Sequence, residues 1–358
     1  MSAVPRAVQW GQGRASVRIL DQRRLPHEVR FLELRTVDET VEAIRTLAVR
    51  GAPAIGVAGA MGLAVAMAAT SRGAAADFRA ALVMAVARIA GARPTAVNLP
   101  WAIARMAARA TADAAQPPAR IAEGLIDEAE QIRAEDEAMC ARIGAHGAVL
   151  LADGARVLTH CNAGALATAG IGTALAPVYA AHTAGRRVSV VATETRPLLQ
   201  GARLTMWELA QAGIACTLIT DSAVASVLRA GDADCVLVGA DRIAANGDVA
   251  NKIGTYAVAL AAQAHGVPFY VAAPETTIDA DTATGDSIVI EERESREVTL
   301  FNGARSAPEG AHARNPAFDI TPARFVSSII TDAGIVRPPY DFSRSARTTA
   351  PHPQVPPS

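Results

Sequence analysis

Lysine is almost missing from this chain. Of 34 Lys and Arg residues, 33 are Arg (34 minus the single Lys252). Abundant alanine and arginine point to a GC-rich genome that drifts away from lysine codons. The surviving lysine is either chance or a place where arginine does not serve. Aromatic residues are only 4% of the chain, which argues against a ring-built platform for bases or sugars. The net charge of −1 offers no basic face for nucleic acid. With 51% apolar and 19% charged residues, a disordered, solvating chain is excluded. The four cysteines, Cys140, Cys161, Cys216 and Cys235, form no C-x-x-C pair and no zinc-like spacing with histidine. No metal site is expected, and the wide spacing reads as a reducing, cytoplasmic protein. The opening MSAVPRAVQWGQGR lacks an apolar core, so no secretory signal is expected. One uncharged run, Gly51 to Ser71, reaches membrane-spanning length. Its proline, glycines and many alanines predict a buried helix packed through small residues, with no membrane partner.

The 358 residues suffice for two domains. Alternating runs over 15–35 predict a small β-hairpin. Helical spacing follows over 38–49 (Asp38 as N-cap), 54–70, 76–90, 97–114 and 119–150. Residues 1–150 are therefore expected to form a hairpin plus a mostly helical domain. Beyond them, β-branched runs at 156–160, 188–193, 215–220, 235–240 and 267–273 alternate with helical stretches at 171–183, 202–212, 222–230 and 253–265. That alternation predicts an α/β domain over 151–342, built on a parallel, doubly wound sheet. Residues 343–358, rich in proline, are expected to be a disordered tail.

Ligands of open parallel sheets bind beyond the carboxyl ends of the strands. The residues there are Cys161-Asn162, Glu194-Thr195-Arg196, Asp221-Ser222, Asp241-Arg242 and Pro274-Glu275. Cys161 opens the turn CNAGALATAGIG, where backbone is available to a ligand, whereas the other cysteines fit apolar core patterns. Asp241 follows VLVGA and reads equally as a structural cap or as a general acid–base. Asn251-Lys252 is expected to open a helix, whose free N–H groups and lysine together suit a phosphate. Arg50-Gly51-Ala52-Pro53 and Arg93-Pro94-Thr95 each place an arginine in a break between helices, as a plain cap or as an anion clamp. There is no G-x-G-x-x-G with a following acid and no P-loop, which disfavours a nicotinamide cofactor and an ATPase.

An ordered set of motifs then resembles a known family. It comprises RGAPAIG from Arg50, THCNAG from Thr159, ETRP from Glu194, QGARLT from Gln200, TDSA from Thr220, GADRIAANGD from Gly239, NKIGT from Asn251 and NPAFDITP from Asn315. The set spans roughly residues 8–338 and resembles the methylthioribose-1-phosphate isomerase family. The wider family also holds regulatory subunits of a translation-initiation guanine-exchange factor and ribose-1,5-bisphosphate isomerases. The resemblance implies a Rossmann-like C-terminal domain, a helical N-terminal domain, a homodimer, no cofactor and a place in methionine salvage. It also implies Cys161 and Asp241 as the catalytic pair, with Arg50, Gly51, Ala52, Arg93, Gln200, Asn251 and Lys252 binding substrate.

Overall fold

The computed structural model describes residues 4–93, 97–301 and 303–343. The predicted tail, from Arg344, lies outside the described residues. The described chain forms two compact units: Val4–Cys140 with Ala165–Gly172, and Ala141–Gly164 with Thr173–Ser343.

The first unit begins with a three-stranded antiparallel sheet, β1 (Val8–Trp10), β2 (Val17–Leu20) and β3 (Phe31–Leu34). The predicted hairpin is its β2–β3 pair, to which Val8–Trp10 adds a strand too short for an alternation signal. Five helices follow: α1 (Val37–Arg45), α2 (Ala52–Thr70), α3 (Ala75–Ala90), α4 (Asn98–Ala112) and α5 (Pro118–Ala148). Thr36, not Asp38, caps α1. Its hydroxyl accepts the Glu39 N–H while Glu39 reaches back to the Thr36 N–H. Such a reciprocal box is worth roughly 1 kcal/mol, which a lone aspartate one turn-position later would not match. Helix α2 is the one helix among the described residues long and apolar enough to cross a membrane, yet 72% of its most apolar window is buried. It forms the core of this unit with Leu99, Ile103 and Met106 of α4.

The division between the units falls inside α5. The second unit carries a seven-stranded sheet. Its strands are β4 (Ala155–Thr159), β5 (Val188–Thr193), β6 (Ala215–Ile219), β7 (Cys235–Val238), β10 (Phe269–Ala272), β15 (Ser328–Ile330) and β16 (Ile335–Val336). Their order is β16-β15-β10-β7-β4-β5-β6, with all neighbours parallel except β15 and β16. Helices α6 (Ala176–Thr183), α7 (Met206–Gln211), α8 (Val224–Ala230) and α9 (Thr255–Ala264) occur between successive strands. From β4 the chain first builds outward through β5 and β6, then returns to place β7, β10 and β15 on the other side. The reversal lies between β4 and β7, where a doubly wound sheet opens a ligand crevice. Four further strands, β8 (Arg242–Ala244), β9 (Val249–Lys252), β11 (Ile278–Asp279) and β14 (Phe318–Thr321), form a second sheet in the order β11-β8-β9-β14. β12 (Leu300–Phe301) and β13 (Ala304–Arg305) pair as a small hairpin.

Candidate active site

Cys161 immediately follows β4, and Asp241 lies just beyond β7, so the two flank the reversal of strand order. Cys161 is buried and adopts φ +67°, a left-handed conformation uncommon for a side-chain-bearing residue. Two threonines hold it there. Its N–H donates to Thr195 Oγ1 at 2.9 Å, and its carbonyl accepts from Thr205 Oγ1 at 2.7 Å. Thr195 follows β5, also at positive φ (+63°), and its N–H and that of Arg196 donate to the Asp221 carboxylate. Asp221, a strand-end candidate, therefore serves here to fix the neighbouring loop. Thr205 closes a π-helical turn, Gly201–Thr205, that begins directly after Gln200.

A directed chain of hydrogen bonds runs from Cys161 toward Lys252. His160 Nε2 lies 2.8 Å from the carbonyl of Ile253, which can only accept, so Nε2 carries the proton. Burial holds the pKa of His160 below its ordinary value and favours the neutral ring, so Nδ1 accepts from the Thr193 hydroxyl at 2.7 Å. Thr193 Oγ1 then accepts from Thr195 at 3.1 Å, and Thr195 Oγ1 accepts the Cys161 N–H. The Thr195 hydroxyl proton is shared with the Thr193 carbonyl at 3.3 Å. The turn carrying Cys161 and the turn following Lys252 are thus tied through four side-chain hydrogen bonds, three of them buried and the one to Ile253 half-buried.

Asn251 and Lys252 end strand β9; they do not open a helix, as their sequence context had implied. Helix α9 starts at Thr255, after Gly254 at φ +103°, and Asp319 occupies its terminal N–H groups. Asp319 accepts from the Gly254 N–H at 2.8 Å and the Tyr256 N–H at 3.1 Å. The expected anion site at this helix end is therefore filled by the protein's own carboxylate. Lys252 Nζ donates to the Ala317 carbonyl at 3.1 Å and stands 4.7 Å from the Phe318 ring centre. Asn251 is buried, its Nδ2 donating to Thr255 Oγ1.

Lys252 and Gln200 line one small open recess together with Arg293, Glu297 and Asn315. Gln200 is 6% exposed, and its Oε1 is buried without a hydrogen-bond partner. A buried acceptor left open is costly unless a ligand completes it. Burial works against ionising Glu297, yet Arg293 at 2.5 and 2.9 Å and Asn315 at 3.0 Å hold its carboxyl below the usual range.

In the helical unit, Gly51 is the N-cap residue of α2 at φ +95°, Ala52 is its first helical residue, and Arg50 precedes them. This is a helix start, not the C-cap that Arg-Gly also suggests. A Cβ on residue 51 would lie 2.4 Å from the Ala167 carbonyl, so only glycine fits. Gly51, the N-cap residue, has no side chain with which to cap this helix. Arg93 follows α3 in the same unit, and Pro94 and Thr95 beside it lie outside the described residues. Among the described residues no three His, Cys, Asp or Glu side chains cluster as a metal would require.

The profile of the Initiation factor 2 subunit family matches residues 48–338. The chain belongs to that family. A methylthioribose-1-phosphate isomerase of Gemmatimonas aurantiaca is 58% identical over 94% of this chain and 95% of its own. A 5-deoxyribose 1-phosphate isomerase of Moorella thermoacetica is 54% identical over 93% and 94%. Among solved structures, 5-methylthioribose 1-phosphate isomerase of Pyrococcus horikoshii superposes with a TM-score of 0.90 at 42% identity, covering 97% of this chain and 96% of that one. An A. fulgidus structure named as translation initiation factor eIF-2B, subunit delta, gives 0.85 at 43%, covering 94% and 96%. The family thus unites isomerases and initiation-factor subunits on one fold, and the site must decide between them. Sequence reading missed Thr193, Thr195, Thr205 and His160 as supports of Cys161. The hydroxyls in ETRP and QGARLT and the histidine beside the cysteine were the available signal.

Proposed function

We propose that this chain is an aldose–ketose isomerase that converts 5-methylthio-α-D-ribose 1-phosphate into 5-methylthio-D-ribulose 1-phosphate, a step of methionine salvage. The observation that carries the reading is that Cys161 and Asp241 lie beyond β4 and β7, the two strands that flank the reversal of strand order. The names of relatives at 52–58% identity support it.

The anomeric phosphate denies this substrate the free aldehyde used in ordinary aldose–ketose isomerisation, so the ring must open with the phosphate attached. Asp241, protonated, donates to the ring oxygen as the C1–O bond breaks, leaving oxocarbenium character at C1. Hydrogen then passes from C2 to C1. In a direct hydride shift, Asp241 takes back the proton of the 2-hydroxyl as C2 becomes the ketone. In a proton shuttle, Cys161 removes the C2 proton to give an enol phosphate and returns a proton to C1. The backbone of Cys161 is pinned by Thr195 and Thr205, which fixes the approach of the thiol. The family resemblance gives substrate binding to Arg50, Gly51, Ala52, Arg93, Gln200, Asn251 and Lys252. Arg50 and Gly51 precede the start of α2, a setting that suits a phosphate.

Turnover of methylthioribose 1-phosphate tests the reading, with 5-deoxyribose 1-phosphate and ribose 1,5-bisphosphate as competitors. Cys161→Ser and Asp241→Asn are each expected to lower kcat by roughly 100-fold or more with the fold intact. No turnover of any sugar 1-phosphate by the native chain sinks the proposal in favour of a regulatory subunit. Efficient use of 5-deoxyribose 1-phosphate would extend the substrate class, as the name of the M. thermoacetica relative suggests. In heavy water, deuterium at product C1 assigns the proton shuttle, and its absence favours the hydride shift over any shuttle that exchanges with solvent. We further infer a cytoplasmic homodimer, the compartment being supported by four cysteines that are all free.

A further inference from the structure

We infer that Asp319, within the otherwise unassigned segment NPAFDITP, is the positioning residue for Asn251 and Lys252, setting them through the turn Ile253–Gly254. This rests on the reading that these two residues bind the sugar phosphate. Strand β14 pairs antiparallel with β9, and Asp319 stands directly opposite Asn251. Its carboxylate crosses to the far side of the turn and takes the N–H groups of Gly254 and Tyr256. The same segment holds the lysine itself, through the Ala317 carbonyl and the Phe318 ring. From the opposite side the turn is gripped by His160, which donates to the Ile253 carbonyl. The turn has no slack, because a Cβ at residue 254 would meet His160 Cε1 at 2.9 Å. Burial pushes the Asp319 carboxyl up to about 6 even against the pull of the two N–H groups and the Lys252 ammonium.

This arrangement gives the single lysine a physical reason. An ammonium is compact enough to sit over the Phe318 ring and still donate to the carbonyl one residue before it. A guanidinium is planar and longer, and would have to leave one of those partners.

Two readouts test the inference. Because Lys252 is the only lysine, its acylation by an amine-specific reagent is read as one mass adduct beside the N-terminus. Asp319→Asn is expected to speed that acylation about fivefold or more under conditions where the thermal midpoint shows a folded chain. In turnover of methylthioribose 1-phosphate, Asp319→Asn is expected to raise KM about tenfold while kcat changes less than about threefold. Lys252→Arg should raise KM similarly, and the double variant should be no worse than the poorer single one. An unchanged labelling rate, an unchanged KM, or KM increases that multiply would overturn the inference. Should the native chain turn over no sugar phosphate, the proposed function fails while the labelling arm still decides the role of Asp319. Should Asp319→Asn not fold, Phe318→Leu leaves the helix cap intact and is expected to free the ammonium by the same measure; an unchanged labelling rate there is equally fatal.

Discussion

Asp136 offers the sharpest stability test in the molecule. It lies on α5, is 9% exposed, and its carboxylate accepts the Ala169 N–H at 2.6 Å. Burial pushes its carboxyl up to about 7, against the pull of that N–H and of Arg133, with Glu137 adding to the rise. A group whose pKa is raised on folding binds a proton more tightly in the native state. Its stabilisation is complete below pH 4 and is lost as the pH climbs through 7. From 3.8 to about 7, at roughly 1.36 kcal/mol per pH unit, the loss amounts to about 4 kcal/mol, of which about 3 kcal/mol falls between pH 5 and 8. Cys140, one turn along, has its thiol pushed up by burial as well and stays neutral across this range. Asp136→Asn keeps an acceptor for Ala169 and removes the titration. Relative to the native chain, the variant should gain about 3 kcal/mol between pH 5 and 8. A constant offset for the new amide does not alter that slope. The assay is urea unfolding followed by tryptophan fluorescence in a Trp207→Phe background, which leaves Trp10 and Trp101, both in the helical unit. A stability difference that stays flat from pH 5 to 8 would refute the reasoning. The consequence reaches the turn before α2, because Ala169 belongs to the 165–172 segment whose Ala167 packs on Gly51.

Two further outcomes follow from the supports of the site. Thr195→Val preserves shape but leaves the buried Cys161 N–H without its acceptor; we expect a loss of roughly 1–3 kcal/mol in unfolding experiments and a fall in kcat larger than the change in KM. Gly254→Ala forces a Cβ at φ +103° against His160, so stability and substrate affinity should both drop, the latter read as a raised KM; a folded variant with native KM would mean that the turn tolerates movement.

The alternation of β-branched runs with helical stretches made the doubly wound sheet legible, because strands buried on both faces read as short continuous apolar runs. Helix α2 was equally plain from its small residues. Three features were hidden. Strand β14 and its partner β9 are short and half polar, with no periodicity to mark them. The return of residues 165–172 to the helical unit depends on Asp136 and on Gln22, whose Nε2 donates to the Leu166 carbonyl from 144 positions away in sequence. The positive φ of Cys161 and of Thr195 belongs to no turn motif, since neither residue prefers that conformation and both are held in it by hydroxyl and carboxylate partners from other strand ends.

The anion site shows most clearly why charge patterns are read incompletely from a chain alone. A lysine beside an apolar helical stretch suggested a free helix N-terminus at residue 252, but a helix end is available to a ligand only if nothing else reaches its N–H groups. Asp319, 67 positions later, does reach them, and no local rule could place it there. At α2 Gly51 has no side chain to offer its own helix start, and Arg50 directly precedes it. The two cationic positions differ in setting. Arg50 adjoins the positive end of a helix dipole. Lys252 is a point charge kept in place by a carbonyl, a ring and a capped turn, so its contribution depends on position more than on field. Raising ionic strength should therefore weaken substrate affinity about as much in Asp319→Asn as in the native chain, since screening acts on charge and not on a misplaced turn. A salt dependence that disappears in Asp319→Asn would mean that the carboxylate acts on the substrate electrostatically, and not through the lysine it positions.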